Sequence, residues 1–483
     1  MLLTGLWVAP ALAGLLVWGM PSRGSARVLA LALSGVILAY AAWLIVPYSA
    51  QPGILRLEEI GTAGAFGIRY HLAMDGIALC LCWLTALLIV LSLAASWKGD
   101  VPPGYWAAFL FLESALMAVF TFRDLFYFYI FWDLALIPMF FIIGLWGSSG
   151  RRKAALKFVL YTFLGSLSLL IGLLALVTLH YRATGMWTWD MAELARTPVA
   201  GPAALWIYAA LAVGFAVKVP VFPLHNWLPE AHTEAPAAGS VLLAGSMLKM
   251  GVFGFLRVLV PVFPELSLAA LPVLGGLGVV NVIYGALCAM AQKDFKRLIA
   301  FTSVSHLGFC LIGIFSLTAE GIAGGCLQMI NHGFSTGGLF LLIGMMYERS
   351  HRRGVDDFGG LAATAPVLSV YFGVILLSSI GLPGLNGFVG EVMTLAGMAR
   401  ASMPLAVLGS LGAVLAAAYG LPAFQKVFWG PPGPDSVSQT IGDLDLRERA
   451  VLGVLVAGIV VLGVYPQPLL RLLTPAVEAL ALR

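Results

Sequence analysis

Apolar runs of about 20 residues recur along all 483 residues of the chain, and a run of that length spans a bilayer as a helix. Charged residues make up only 10% of the sequence, against about 25% in an ordinary soluble domain. Inside hydrocarbon every backbone N–H and C=O must find its partner within the segment, which leaves helices as the spanning element. The chain therefore reads as an all-α polytopic membrane protein with about fourteen spans. They fall near 2–20, 27–47, 76–97, 104–122, 124–147, 155–181, 203–223, 237–260, 267–290, 295–316, 319–346, 363–396, 404–428 and 449–466. The first run lacks a basic flank, so it reads as a retained helix and not as a signal peptide. The longest connections, 48–75, 182–202 and 429–448, are too short to fold as domains.

The seventh span is interrupted. It runs into Lys218 and is then broken by Pro220 and Pro223, after which the eighth span carries Lys249. Proline supplies no N–H, so the carbonyls of Ala216 and Val219 are expected to be free beside the Lys218 ammonium. The twelfth span has a counterpart in SSIGLPGLNGFVGEV, where Pro383 frees the carbonyl of Ser379 and Gly381, Gly384, Gly387 and Gly390 loosen the helix. The two breaks lie five spans apart, and an odd shift inverts topology. Spans 4–8 and 9–13 thus read as two inverted five-helix repeats with discontinuous helices 7 and 12, around a midplane ion site. The corresponding boundaries are 1–103, 104–262, 263–430 and 431–483.

Ionisable residues inside the spans carry the functional reading. A charge at the bilayer centre costs about 2.5–3.5 kcal/mol, yet Glu113, Asp133, Lys218, Lys249, His306, His332 and Glu391 all fall within apolar segments. Each alone has a structural explanation: a static ion pair, a satisfied core histidine, an interhelical hydrogen bond. The set mixes carboxylates, lysines and histidines over successive spans, as a proton relay requires. His225 and His232 lie in the proline-marked turn and read as helix-end hydrogen-bonding groups, and Asp75 before Gly76 reads as a helix N-cap.

No Cys/His cluster has metal spacing, and no glycine-rich phosphate loop is present, so the chain is expected to hold no metal, nucleotide, flavin or iron–sulfur cluster. The odd-numbered connections are the richer in basic residues, Arg151, Arg152 and Lys153 among them. The other side holds fewer, including Arg56, Arg257 and Arg483. This bias puts the odd connections in the cytoplasm and both termini outside.

The segments FYIFWDLALIPMFFIIGLWG, AVKVPVFPLHNWLPEAHTEAPAAGS, LLAGSMLKMGVFGFLR, DFKRLIAFTSVSHLGF, INHGFSTGGLFLLIGMMYER and GLPGLNGFVGE resemble the antiporter-like membrane subunits of respiratory complex I. The likeness covers nearly the whole chain. The glutamate ending GFVGE, the fourteen spans and the lack of a long lateral C-terminal helix favour the M type over the L and N types.

The resemblance implies a proton-translocating membrane-arm subunit of NADH:quinone oxidoreductase, driven by quinone reduction elsewhere in the complex. It implies FMN, iron–sulfur clusters and quinone in partner subunits, L- and N-type neighbours, and a bacterial inner membrane. By position, Asp133 pairs with Lys218, and Glu113 is a second acid. Lys249 carries the proton, His306 and His332 continue the axis, and Glu391 ends it. The family usually has glutamate at position 133, and aspartate is one methylene, about 1.5 Å, shorter. Two other readings share the fold: a subunit of a multisubunit cation/proton antiporter, and one of a membrane-bound hydrogenase-type complex.

Overall fold

The computed structural model describes residues 1–50, 57–431 and 441–482. Arg56 and Arg483, used above in the charge comparison, lie outside the described residues. Among those described, eleven helices are long and apolar enough to cross a membrane, and a twelfth is the bent pair Leu446–Val464 and Gln467–Leu480, which turns by 70°. Two shorter apolar helices, Leu2–Trp18 and Pro366–Ser379, stand where the first span and the front half of the twelfth are expected.

The helices divide into an inner set and an outer set. The apolar cores of Ala237–Val262, Phe295–Phe315 and Ala319–Ser350 are buried, whereas Arg23–Ala50, Pro264–Met290 and Met403–Trp429 turn most of their surface outward. The inner three therefore see protein on every side, which is the setting in which ionisable groups at membrane depth are tolerated.

Two features correct the sequence reading. The 48–75 connection contains an antiparallel hairpin, Leu57–Ala63 paired with Arg69–Met74, so the chain is not wholly helical. The short strand LEEIGTA is largely exposed and lacks the long apolar alternation that marks a strand. The chain also continues past the fourteenth span into the amphipathic helix Gln467–Leu480, which buries Leu473, Ala476, Val477 and Leu480.

Loops of like parity meet one another. The hairpin pairs with the Phe122–Asp124 turn, which in turn pairs with Asp190. Met1 approaches Glu59 of the hairpin, and Leu482 donates to the Leu317 carbonyl in the connection after the tenth span. Both chain ends therefore share one face with the even connections. On the opposite face Phe295 donates to Arg353, Ser148 to Glu234, and Arg447 to Ala95. Asp75 caps its helix as expected, accepting from the N–H groups of Ile77 and Ala78.

Candidate proton relay

Lys249 sits on the buried Ala237–Val262 span between two π-helical turns, Leu243–Met247 and Phe255–Leu259. A π turn widens the helix and disturbs its regular ladder, and such turns concentrate at functional sites. Here the carbonyl of Ala244, inside the first π turn, accepts a hydrogen bond from the Lys249 ammonium. The same nitrogen stands 2.6 Å from Nδ1 of His332.

From His332 the line continues. Its ring faces that of His306 at a centroid distance of 5.8 Å. His306 Nε2 lies 3.1 Å from the Ser379 hydroxyl, at the end of the helix before the second break, and its Nδ1 is 3.8 Å from Oε1 of Glu391. Lys249, His332, His306 and Glu391 are all buried. Gly381 makes the last position fit. Its φ of +75° suits glycine, and a Cβ there would come within 2.6 Å of Glu391 Oε2.

The first half is arranged differently. Lys218 ends the helix Gly201–Lys218 and is buried, but its ammonium has no hydrogen-bond partner among the described residues. It lies 5.2 Å from the centre of the Trp132 ring, a cation–π arrangement. Asp133 is half-buried and accepts from the Ser166 hydroxyl. No Asp133–Lys218 contact falls within the 4.0 Å of an ion pair, the greater separation that the shorter acid predicts. Glu113 is buried with both carboxyl oxygens unpartnered among the described residues. The two lysine-bearing segments nonetheless touch: a Cβ on Gly251 would meet Val219 Cγ2 at 2.6 Å and the Phe215 carbonyl at 2.8 Å.

The first break is also better satisfied than expected. The carbonyl of Ala216 is not free but accepts from the N–H of Val221 at 2.9 Å, because the chain closes one wider turn before it unwinds. Trp227 donates its indole N–H to the Val217 carbonyl at 3.0 Å. Asn281 accepts from Phe222 N–H at 2.7 Å and donates to the Pro220 carbonyl.

His232 is not a helix-end hydrogen-bonding group. Both its ring nitrogens are buried without a partner among the described residues, and the ring stacks on Phe340 at 4.5 Å. Nδ1 of His225 is likewise unpartnered there.

Sequence reasoning missed the buried pair of Arg257 with Asp75. Arg257 belongs to the second π turn and is not a surface charge that sets orientation. The available signal was an arginine eight residues after Lys249 in one apolar run. Ser166, Ser379 and Asn281 were missed as well, and of these only Asn281 is conspicuous in its apolar surroundings.

A helical membrane bundle with two interrupted spans and a buried line of ionisable groups defines an ion-translocating membrane subunit. The chain belongs to the family described as NADH:quinone oxidoreductase/Mrp antiporter, TM, whose model matches residues 123–416. It is 40% identical over 489 residues to NADH-quinone oxidoreductase subunit M of Escherichia coli (strain K12), covering 97% of this chain and 96% of that one. A chain of respiratory complex I from Thermus thermophilus with bound NADH superposes with a TM-score of 0.90 at 34% identity, covering 100% of this chain and 99% of that one. A chain of the Mrp complex from Dietzia sp. DQ12-45-1b superposes with a TM-score of 0.89 at 22% identity, covering 99% and 97%, and shares the fold.

Proposed function

We propose that this chain is a proton-translocating membrane-arm subunit of an NADH:quinone oxidoreductase, of the M type. The family membership and the extended likeness to subunit M support the assignment. The observation that supports the mechanism is the buried succession from the Lys249 ammonium, hydrogen-bonded to His332, through His306 at a ring distance of 5.8 Å to Glu391 at 3.8 Å. Asp133 and Lys218, with Glu113 as a second acid, form the input half. Lys249 is the carrier, the two histidines pass the proton, and Glu391 delivers it.

A lysine carrier suits H⁺, because it offers no oxygen ligand to a metal ion. The redox chemistry of FMN, iron–sulfur clusters and quinone belongs to partner subunits, and L- and N-type chains are the neighbouring subunits. We assign fourteen spans by counting Leu2–Trp18, the interrupted 366–401 segment and the bent C-terminal pair as one span each, with repeats at 104–262 and 263–430. The membrane is a bacterial inner membrane with both termini on the outer side.

The test is Lys249→Met in the intact complex reconstituted in liposomes. Proton uptake per NADH oxidised should fall while the detergent-solubilised enzyme still oxidises NADH. An unchanged proton yield would overturn the assignment of Lys249 as carrier.

A further inference from the structure

Amide side chains tie both ends of the second break. Asn386 opens the helix Asn386–Ala401. Its side-chain oxygen accepts from the hydroxyl of Ser378, in the last turn of Pro366–Ser379, at 2.5 Å. Its backbone carbonyl accepts from Nδ2 of Asn331 at 2.7 Å. Asn331 belongs to Ala319–Ser350 and directly precedes His332, the partner of Lys249. The same nitrogen lies 3.4 Å from Oε1 of Gln328, about one turn earlier in that helix.

The pair presses on the turn that ends in Glu391. A Cβ on Gly390 would stand 2.4 Å from Gln328 Oε1 and 2.8 Å from Asn331 Nδ2, so glycine is what lets the two amides approach the backbone there. Gln328 also engages the Glu391 carboxylate. Because its Oε1 is taken by Asn331, the group it offers the carboxylate is the Nε2 donor. Gln328, Asn331, Asn386 and Glu391 are all buried.

The other surroundings of Glu391 leave its charge uncovered. Nδ1 of His306 stands 3.8 Å from Oε1, farther than the roughly 2.7–3.2 Å of a hydrogen bond, and that oxygen has no hydrogen-bond partner among the described residues. Among the helices packed on Asn386–Ala401, the titratable groups that face Glu391 are His306 and Tyr419. Among the described residues it has no lysine or arginine partner within 4.0 Å. A buried carboxylate with no donor holds on to its proton, and one paired with a fixed cation resists taking it up. A neutral amide donor lies between the two and permits both states.

We propose that Gln328 and Asn331 are positioning residues for proton delivery: Asn331 aligns the Gln328 amide, and that amide supplies the neutral donor that lets Glu391 part with its proton inside the bundle. The inference rests on the reading of Glu391 as the delivering acid. The proton passes from His306 to Glu391 and then outward, and only bonds to that proton are made or broken. Asn331 and His332 are consecutive, so one helix fixes both the histidine at the carrier and the amide pair at the delivering acid.

The experiment uses the intact complex in sealed liposomes, with protons delivered to the lumen per NADH oxidised measured against lumen pH. Gln328→Met keeps the length and removes the donor. It should move the half-maximal yield to a higher lumen pH by about one to two units, the worth of a hydrogen bond to a charged group. Asn331→Ser frees Gln328 without removing its amide and should move the midpoint the same way by less. It carries the test if Gln328→Met does not assemble. A purely structural role would lower the yield equally at every pH. That result, or an unmoved midpoint, would overturn the role of the amide pair. Glu391→Gln in the same preparation separates the two readings. If it loses translocation while the midpoint of Gln328→Met is unmoved, the delivering acid stands and the amide pair alone falls. If it translocates at full yield, both fall.

Discussion

The Lys249 ammonium lies 2.6 Å from Nδ1 of His332 while also donating to the Ala244 carbonyl. The shared site holds one transferable proton, because Nδ1 accepts when the lysine is charged and donates when it is neutral. His332→Ala should therefore leave NADH oxidation in place and cut proton transfer through this chain by roughly two orders of magnitude, the scale of a removed proton-transfer group. His332→Gln keeps a polar group but cannot titrate, and should not restore it. The measurement is proton yield per NADH in liposomes, and an undiminished yield in both variants would remove His332 from the line.

Asp133 accepts from Ser166 and makes no direct ion pair with Lys218. Asp133→Glu adds about 1.5 Å of reach and should retain or improve the proton yield. Asp133→Ala should lower it sharply. Ser166→Ala removes one hydrogen bond to the carboxylate, worth about 1.5–3 kcal/mol for a charged acceptor, and should have an intermediate effect in the same assay. Wild-type yield in Asp133→Ala would exclude the acid from the path.

Arg257 and Asp75 are a pair 6% and 1% exposed, so removing one partner strands the other. Asp75→Ala should destabilise the chain by about 3–5 kcal/mol and reduce the amount of assembled complex seen on native gels. Replacing both, as Asp75→Ala with Arg257→Met, should recover most of the loss, since a buried pair is often replaceable by apolar groups. A double variant no better than the single would show that the charges act separately.

On the second strand of the hairpin, His71 lies between Asp190 at 2.5 Å and Glu58 of the first strand at 2.8 Å. Burial pulls its pKa down, but the two carboxylates outweigh that and hold it above its ordinary 6.5. Asp190 answers in kind: burial raises it, and the His71 hydrogen bond leads the contacts that leave it lowered. A raised imidazole contributes stability that is fully present below pH 6.5 and disappears as pH rises through the folded-state value. Amide exchange across residues 57–74, corrected for its intrinsic pH dependence, should therefore accelerate as pH is raised through that window. In His71→Gln the step should vanish, and its persistence there would place the titration elsewhere.

The hydrophobic runs, the break after Lys218 and the presence of ionisable residues within the spans were legible because each depends on residue type at a given place in the sequence. Asp75 as an N-cap was legible for the same reason. The contact of Lys249 with Ala244 was not, because an i→i+5 turn leaves no mark in composition. Arg257 was misplaced because a charge near the end of an apolar run looks the same whether it snorkels or is paired within. The hairpin was missed because LEEIGTA is too short and too polar to declare a buried face. The carbonyl of Ala216 was expected to be free because proline removes a donor, yet Val221 supplied another from one residue farther on.

Asn281 sits on the helix Pro264–Met290, beyond the Lys249 span in the chain, yet its side chain holds both Phe222 N–H and the Pro220 carbonyl at the break beside Lys218. The unwound segment is thus stitched to a different helix from the one it interrupts. Two neutral hydrogen bonds contribute about 1 kcal/mol each, little more than thermal energy, whereas Arg257–Asp75 is held by opposite charges out of water. A pull on the Asn281 helix would part these stitches long before it parted the ion pair. Of the bundle's two ties, the weaker is therefore the one next to Lys218.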